Sequence, residues 1–474
     1  MNSQLRSFAL ALLAGLGVAC ADTPTQAGLE ASVADTRSRP ISAGATLLSP
    51  KFHAVLRRNF NQSIPDNVKT AIAWDVEEAD FGNLHITGAS DVTLGPGTWL
   101  LVAIVNFSSD VDGYRSVSIG PNLFARTVSS IQGVSATTLT ATLVASVPVG
   151  TTANYSVYVQ HAAGNSLDVM GSDYSRFFVV QLGPDPFVRL HKSALQTLLN
   201  QTVTALTWDV EGADAWNLHG AGAPSVTLPS GIWLLSPFVS WATNASGVRI
   251  TSIAENGTDI GLNSSSIQGG GVGQSMNLPL VRVVPSGQTR DYEVRGLQSS
   301  GGNLNVVGES CSRGICKNPE SNFYVAQLNP DPSSPSGILR AVTQSIPHSS
   351  WTPVTWVSEH CPNPSICGPN GFENVGPGVW LLIAVVTWES NSNGVLAAVL
   401  QETEGGSQVG PVGVSYSSIQ AANTAHSMIL PLVKVVPAGA TREYRVDVWQ
   451  GTGGSLDVFG GVATYFIAVQ LATL

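Results

Sequence analysis

Apolar runs recur along the chain at intervals of about 8–15 residues, each bounded by Gly, Pro, Asn and Ser clusters. Runs such as Thr98–Val105 and Leu280–Val284 are β-branched, aromatic or aliphatic, which predicts short strands of an antiparallel sandwich. Helical periodicity is scarce. Leu190–Leu199 is the best window, and it reads either as a short helix or as an opening strand. In Phe177-Phe178-Val179-Val180-Gln181-Leu182, side chains alternate between faces, so Phe177, Val179 and Gln181 share one face and Phe178, Val180 and Leu182 the other. An outward sheet face in water should alternate with polar residues. The second apolar face is therefore expected to pack on a neighbouring domain, with a covering loop as the alternative.

Self-similarity sharpens this picture. Gly97-Thr98-Trp99-Leu100-Leu101 returns as Gly231-Ile232-Trp233-Leu234-Leu235 and as Gly378-Val379-Trp380-Leu381-Leu382. Ser129-Ser130-Ile131-Gln132 returns as Ser265-Ser266-Ile267-Gln268 and Ser417-Ser418-Ile419-Gln420. The last strands also match: Phe177–Leu182, Phe323-Tyr324-Val325-Ala326-Gln327-Leu328 and Phe466-Ile467-Ala468-Val469-Gln470-Leu471. Trp-to-Trp steps of 134 and 147 residues suit a whole domain rather than a solenoid repeat. Pro184-Asp185-Pro186 and Pro330-Asp331-Pro332 form short connectors that favour close packing. The expected division is a signal at 1–21, a flexible tether at 22–50, and jelly rolls at 51–184, 189–329 and 338–474.

Composition adds two constraints. Of 474 residues, 43 % are hydrophobic and only 11 % charged, which excludes intrinsic disorder. The net charge of −10 excludes a nucleic-acid partner, because no basic surface exists to release counterions.

Residues 1–21 carry Arg6 and then the apolar Phe8–Leu16, too short to span a bilayer, and read as an export signal. Gly17-Val18-Ala19-Cys20 fits a lipobox with lipidation at Cys20, and Ala19-Cys20-Ala21 fits ordinary cleavage equally. No later stretch is long and apolar enough for a membrane helix. The expected location is extracellular or cell-surface, as a bacterial outer-membrane lipoprotein if Cys20 is lipidated. The other four cysteines form two tight pairs in loops, Cys311/Cys316 and Cys361/Cys367, expected as local disulfides in an exported chain.

Within each copy the order is an opening segment of the type Gln344-Ser345-Ile346-Pro347, then Trp351-Thr352-Pro353-Val354-Thr355, then Pro-Gly-x-Trp-Leu-Leu. A hairpin such as Val239–Gly247 follows, then Val435-Val436-Pro437-Ala438-Gly439 before Tyr444–Val448. This order resembles the jelly roll of the tumour necrosis factor and complement globular-head (C-one-q) superfamily in its bacterial form. Trp replaces the Tyr usual after the Gly, and Ala440-Thr441-Arg442 stands where an Asp after Gly is usual. The resemblance implies compact trimers with the last strand near the threefold axis. Three fused copies are then expected to fold as an intramolecular pseudo-trimer, monomeric in solution, since fusion removes the translational cost of association.

Two constellations carry candidate chemistry. Trp74-Asp75-Val76-Glu77 with Asp80…His85, and Trp208-Asp209-Val210-Glu211 with Asp214…His219, offer His and carboxylates to a divalent metal. The alternative is a loop in which these side chains bond their own turn. The third copy keeps only Glu359, before His360 and the loop 361–367; if Glu77, Glu211 and Glu359 met on the axis, they could hold a cation. Aromatics before Asn-rich hairpins, Trp241 with Asn244, Trp388 with Asn391, and Phe107, would suit sugars by stacking and amide bonding. Their alternative is burial at the ends of core strands. Trp99, Trp233 and Trp380 are expected in the core.

No Gly-x-Ser-x-Gly, His-Glu-x-x-His or phosphate-binding Gly-x-x-x-x-Gly-Lys motif occurs. The reading is a non-catalytic binding or adhesion protein, all-β, recognising a protein or a carbohydrate at the cell surface without a cofactor; a structural cation stays open. It meets the membrane only through an N-terminal lipid. The alternatives are a structural assembly protein and a metal-dependent hydrolase using the His85 and His219 loops.

Overall fold

The computed structural model describes residues 52–473 except 109–111, 121–124, 132–135, 173, 184–186, 215, 243–246, 268–273, 309, 313–314, 318–320, 330–333, 335, 390–393 and 420–424. The signal, Cys20, the tether, both Pro-Asp-Pro connectors, Asn244 and Asn391 thus lie outside the described residues. Among the described residues every regular element is a strand apart from a 3-10 turn at Pro364–Ile366, and every strand pairing is antiparallel. No helix among them is long and apolar enough to cross a membrane. The Leu190–Leu199 window resolves as the strands Phe187–His191 and Gln196–Leu198, the opening-strand alternative.

Each copy is a jelly roll of two layers. In the first, the inner sheet runs Gln62–Ile64, Leu167–Val169, Gly97–Phe107, Arg176–Gly183, His53–Arg57, Val76–Phe81, with Thr137–Val147 also on Gly97–Phe107. The outer sheet runs Thr70–Ala71, Ala153–Ala162, Gly113–Ile119, Ala125–Ile131. The third copy repeats the inner order strand for strand around Gly378–Trp388. In the second copy the layers join, because Ser225–Trp241 and Leu280–Gln298 are continuous strands that pass from one sheet to the other. The register slips between Pro229 and Gly231 at the bend.

The repeated sequence markers have a shared mechanical cause. Gly97, Gly231 and Gly378 take φ of 138°, 143° and 147°, where only Gly is unstrained. A Cβ at any of them would strike the side-chain amide of Gln181, Gln327 or Gln470. Those glutamines donate to Pro96 O at 3.0 Å, Ser230 O at 3.4 Å and Pro377 O at 2.8 Å. The Gly of the first motif and the Gln of the last strand therefore lock one corner of each roll. Trp99, Trp233 and Trp380 are buried, and each indole donates to a carbonyl four residues earlier at 2.9 Å. Trp74, Trp208 and Trp356 pack on Phe177, Phe323 and Phe466 at 5.7–5.8 Å between ring centroids.

The three rolls close a ring. Asn277 Nδ2 donates to Thr142 Oγ1 at 3.0 Å between the first and second copies. Between the second and third, Ser264 N donates to Ser427 Oγ at 3.0 Å and Tyr465 OH to Pro279 O at 3.0 Å. Between the third and first, Tyr416 N donates to Thr138 Oγ1 at 2.8 Å, and the Tyr174 and Tyr416 rings lie 6.3 Å apart. Phe177, Phe178, Val179, Val180 and Leu182 are all buried. Their strand lies against His426–Val436 of the third copy, so a neighbouring domain covers the second face.

Candidate functional site

The His and Asp residues of the two matching loops do not converge on a metal position; they staple their own turns. Asp80 Oδ1 accepts from Leu84 N at 2.8 Å and Oδ2 from His85 N at 3.1 Å. Asp214 does the same with Leu218 N and His219 N, both at 2.9 Å. The His85 Nδ1 lies 2.8 Å from Glu77 Oε1 and its Nε2 3.2 Å from Ala89 O. His219 repeats this with Glu211 at 2.9 Å and Ala223 O at 3.0 Å. The Thr87 hydroxyl and then His85 hold the Glu77 carboxyl below its ordinary value. Both carboxylate oxygens of Asp80 and Asp214, both ring nitrogens of His85 and His219, and one oxygen each of Glu77 and Glu211 are thus engaged within their own loops. Among the described residues no group of three His, Cys, Asp or Glu gathers as a ligand set.

The metal expectation for Asp80, His85, Asp214 and His219 is corrected accordingly. So is the meeting of three glutamates. Glu77 and Glu211 bond their histidines, while Glu359, with no such His, pairs with Arg282 of the second copy at 2.8 Å and with Arg340. Lacking its local partner, the third glutamate becomes a tie across a seam. Asp214→Ala, which leaves two backbone N–H groups without their acceptor, is expected to cost about 1–2 kcal/mol in denaturant unfolding. Chelator should leave the wild-type midpoint unchanged.

The sugar-platform expectation is also corrected. Trp241, Trp388 and Phe107 are 1 %, 0 % and 0 % exposed. Each ends the long inner strand of its roll, paired with Gln274, His426 and Thr137. Trp241 reaches across the sandwich to Gly296, where a Cβ would meet its ring at 3.0 Å. None offers a free ring face. Cys361 and Cys367 form the expected disulfide. Cys311 and Cys316 are opposed in backbone register, while their side chains fall outside those described.

The Asp of each Trp-Asp motif has a different task. Asp75 Oδ1 accepts from Asn59 N at 2.7 Å, and Asp209 Oδ1 from Ser193 N at 2.9 Å. Arg58 and Lys192 thread beneath the same turns to Phe60 O and Thr207 O; burial pulls both cations below their ordinary values, with Asp75 and Asp209 opposing. These bonds fix the turn after the first strand of each of these two copies, and that turn presents Phe60 and Leu195 to solvent at 68 % and 61 % exposure. Val342 occupies the corresponding turn in the third copy, at 45 %. Strand pairing places all three at one end of the ring. Arg57 pairs with Arg176, which pairs with Ile104 near the end of the long strand, whereas His53 and Gly183 lie at the other end. The corresponding pairings recur in the second and third copies.

A cavity of about 110 Å³ lies where the three rolls meet, at that same end. Its walls come from corresponding positions, including Thr137, Gln274 and His426, and Ser265 and Ser417 of the repeated Ser-Ser-Ile-Gln marker. Burial pushes the His426 imidazole down to about 4. Neither spacing nor composition reveals this cavity. The repeated Ser-Ser-Ile-Gln was its one visible signal, an unusually polar end to a strand.

No family model matches the chain, and no curated protein matches it. Among solved structures, Eiger TNF from S. frugiperda is similar at 14 % identity over 30 % of this chain and 94 % of its own, with a TM-score of 0.24. The triple jelly roll of an archaeal virus turret assembly is similar at 12 % identity over 91 % of this chain and 99 % of its own, with a TM-score of 0.19. Sulfolobus Turreted Icosahedral Virus gives 13 % identity, 81 % and 83 % coverage, and a TM-score of 0.18. At such scores these likenesses add nothing to the jelly-roll fold established by the strand pairing.

Proposed function

We propose that the chain is an exported, lipid-anchored, non-catalytic recognition protein whose three fused rolls present the end of the ring away from residue 52 to a protein or a glycan. The supporting observation is the set Phe60, Leu195 and Val342, one exposed apolar side chain on the same turn of each copy. A single exposed apolar residue is ordinary; the same turn carrying one in three diverged copies is not. The polar candidates that would argue for hydrolysis are consumed in holding the loops. A tether at the residue-52 end would direct the opposite end outward.

The test is the variant Phe60→Ser/Leu195→Ser/Val342→Ser in the full chain, compared with wild type on a glycan array and by sedimentation. Wild type should bind a defined glycan set, and the variant should lose at least tenfold in affinity with an unchanged melting temperature. A wild type that ignores glycans but self-associates through these turns would favour the assembly role instead. Binding that survives intact in the variant would exclude this end as the recognition surface.

A further inference from the structure

We propose that the cavity at the meeting of the three rolls is a binding site for a small uncharged polyol of two or three carbons. Thr137, Gln274 and His426 occupy the same position in the three copies, as the partners of Phe107, Trp241 and Trp388. Leu139, Met276 and Met428, two residues further along each strand, also line it. The site thus sets polar groups beside an apolar ring, which matches a molecule with hydroxyls on a short carbon chain.

Two buried atoms ask for a partner. Thr137 Oγ1 and Gln274 Oε1 have none among the described residues, although both residues are only 6 % exposed. A buried polar atom without a partner costs about 1–3 kcal/mol, so an occupant must supply hydrogen bonds. An apolar occupant would leave both unpaired. Among the described residues no Lys, Arg, Asp or Glu lines the cavity, so a charged occupant would lose its hydration without a counter-charge. Size narrows the choice: a cavity of about 150 Å³ holds benzene, and this one, at about 110 Å³, takes about four to six non-hydrogen atoms. Ordered water is the competing occupant, because a polar cavity of this size can hold it.

Glycerol titrated into the full-length protein and followed by saturation-transfer NMR of the ligand tests the proposal. A saturable glycerol signal is expected, at least tenfold weaker in affinity for Thr137→Val/Gln274→Leu, and absent for sorbitol, which is too large. Should the double variant fail to fold, the isosteric Thr137→Val alone should weaken binding at least threefold. No saturable signal in wild type would mean a cavity filled by water only and would overturn the proposal. So would equal binding of sorbitol, or glycerol binding unchanged in the variants.

Discussion

Trp388→Ala should lower the stability of the chain by about 3–5 kcal/mol, the usual cost of emptying a buried aromatic site. Trp388 is fully buried. It closes the inner sheet of the third roll, paired with His426 on one side and Val458 on the other. A surface stacking platform would behave differently, with truncation changing sugar binding and leaving stability within about 0.5 kcal/mol. Urea unfolding followed by far-ultraviolet circular dichroism separates the two. A loss below about 1 kcal/mol would mean that the ring is not enclosed as described.

Stability should also fall as the pH drops from about 6.5 to about 4, by roughly 2–3 kcal/mol, through His426. In the folded chain its imidazole titrates at about 4, because burial disfavours the charged ring. The unfolded chain takes up the proton near the ordinary imidazole value of 6.5. Above that value both states are neutral and nothing is lost. Between the two values only the unfolded state is protonated, so folding weakens, and below about 4 the loss is complete. The side chain keeps partial access to the cavity, which moderates the cost. Among the described residues Tyr416 is the only other titratable side chain lining it, and none of those lining it is an acid that would stabilise the imidazolium. Carboxylates such as Glu77, held below their ordinary range, release their stability at still lower pH. His426→Gln, carrying the residue the second copy uses at this position, should remove most of the difference between pH 6.5 and 4, leaving the smaller share of His360, whose imidazole burial also holds below its ordinary value. A variant with the wild-type pH profile would place the titrating group elsewhere.

The fold was legible because its signals are local and repeated. Alternating and continuously apolar runs define strands, and the Gly-x-Trp-Leu-Leu and Gln-Leu markers recur because a Gly and a Gln lock one corner in every copy, as Gly97 and Gln181 do in the first. The doubly apolar last strand also announced a neighbour. The chemistry of polar residues was less readable, since spacing does not state direction. Asp80…His85 has the composition of a metal site, yet both carboxylate oxygens point back at the N–H groups of their own loop. Trp241 stands before a polar hairpin like a sugar-binding residue, but its ring turns inward over Gly296. Glu359 could be interpreted only with Arg282 in view, 77 residues away on another copy. Ties across seams depend on the closed ring, which no single repeat encodes.

Ring closure is the claim on which the cavity, the seams and the shared end all depend. Small-angle scattering from the purified chain at monomer mass measures it directly. Three rolls closed on one another should give a radius of gyration of about 22 Å for the residues from 52 onward. A value above about 30 Å, as for separated domains in a row, or a mass three times that of the chain, would contradict it.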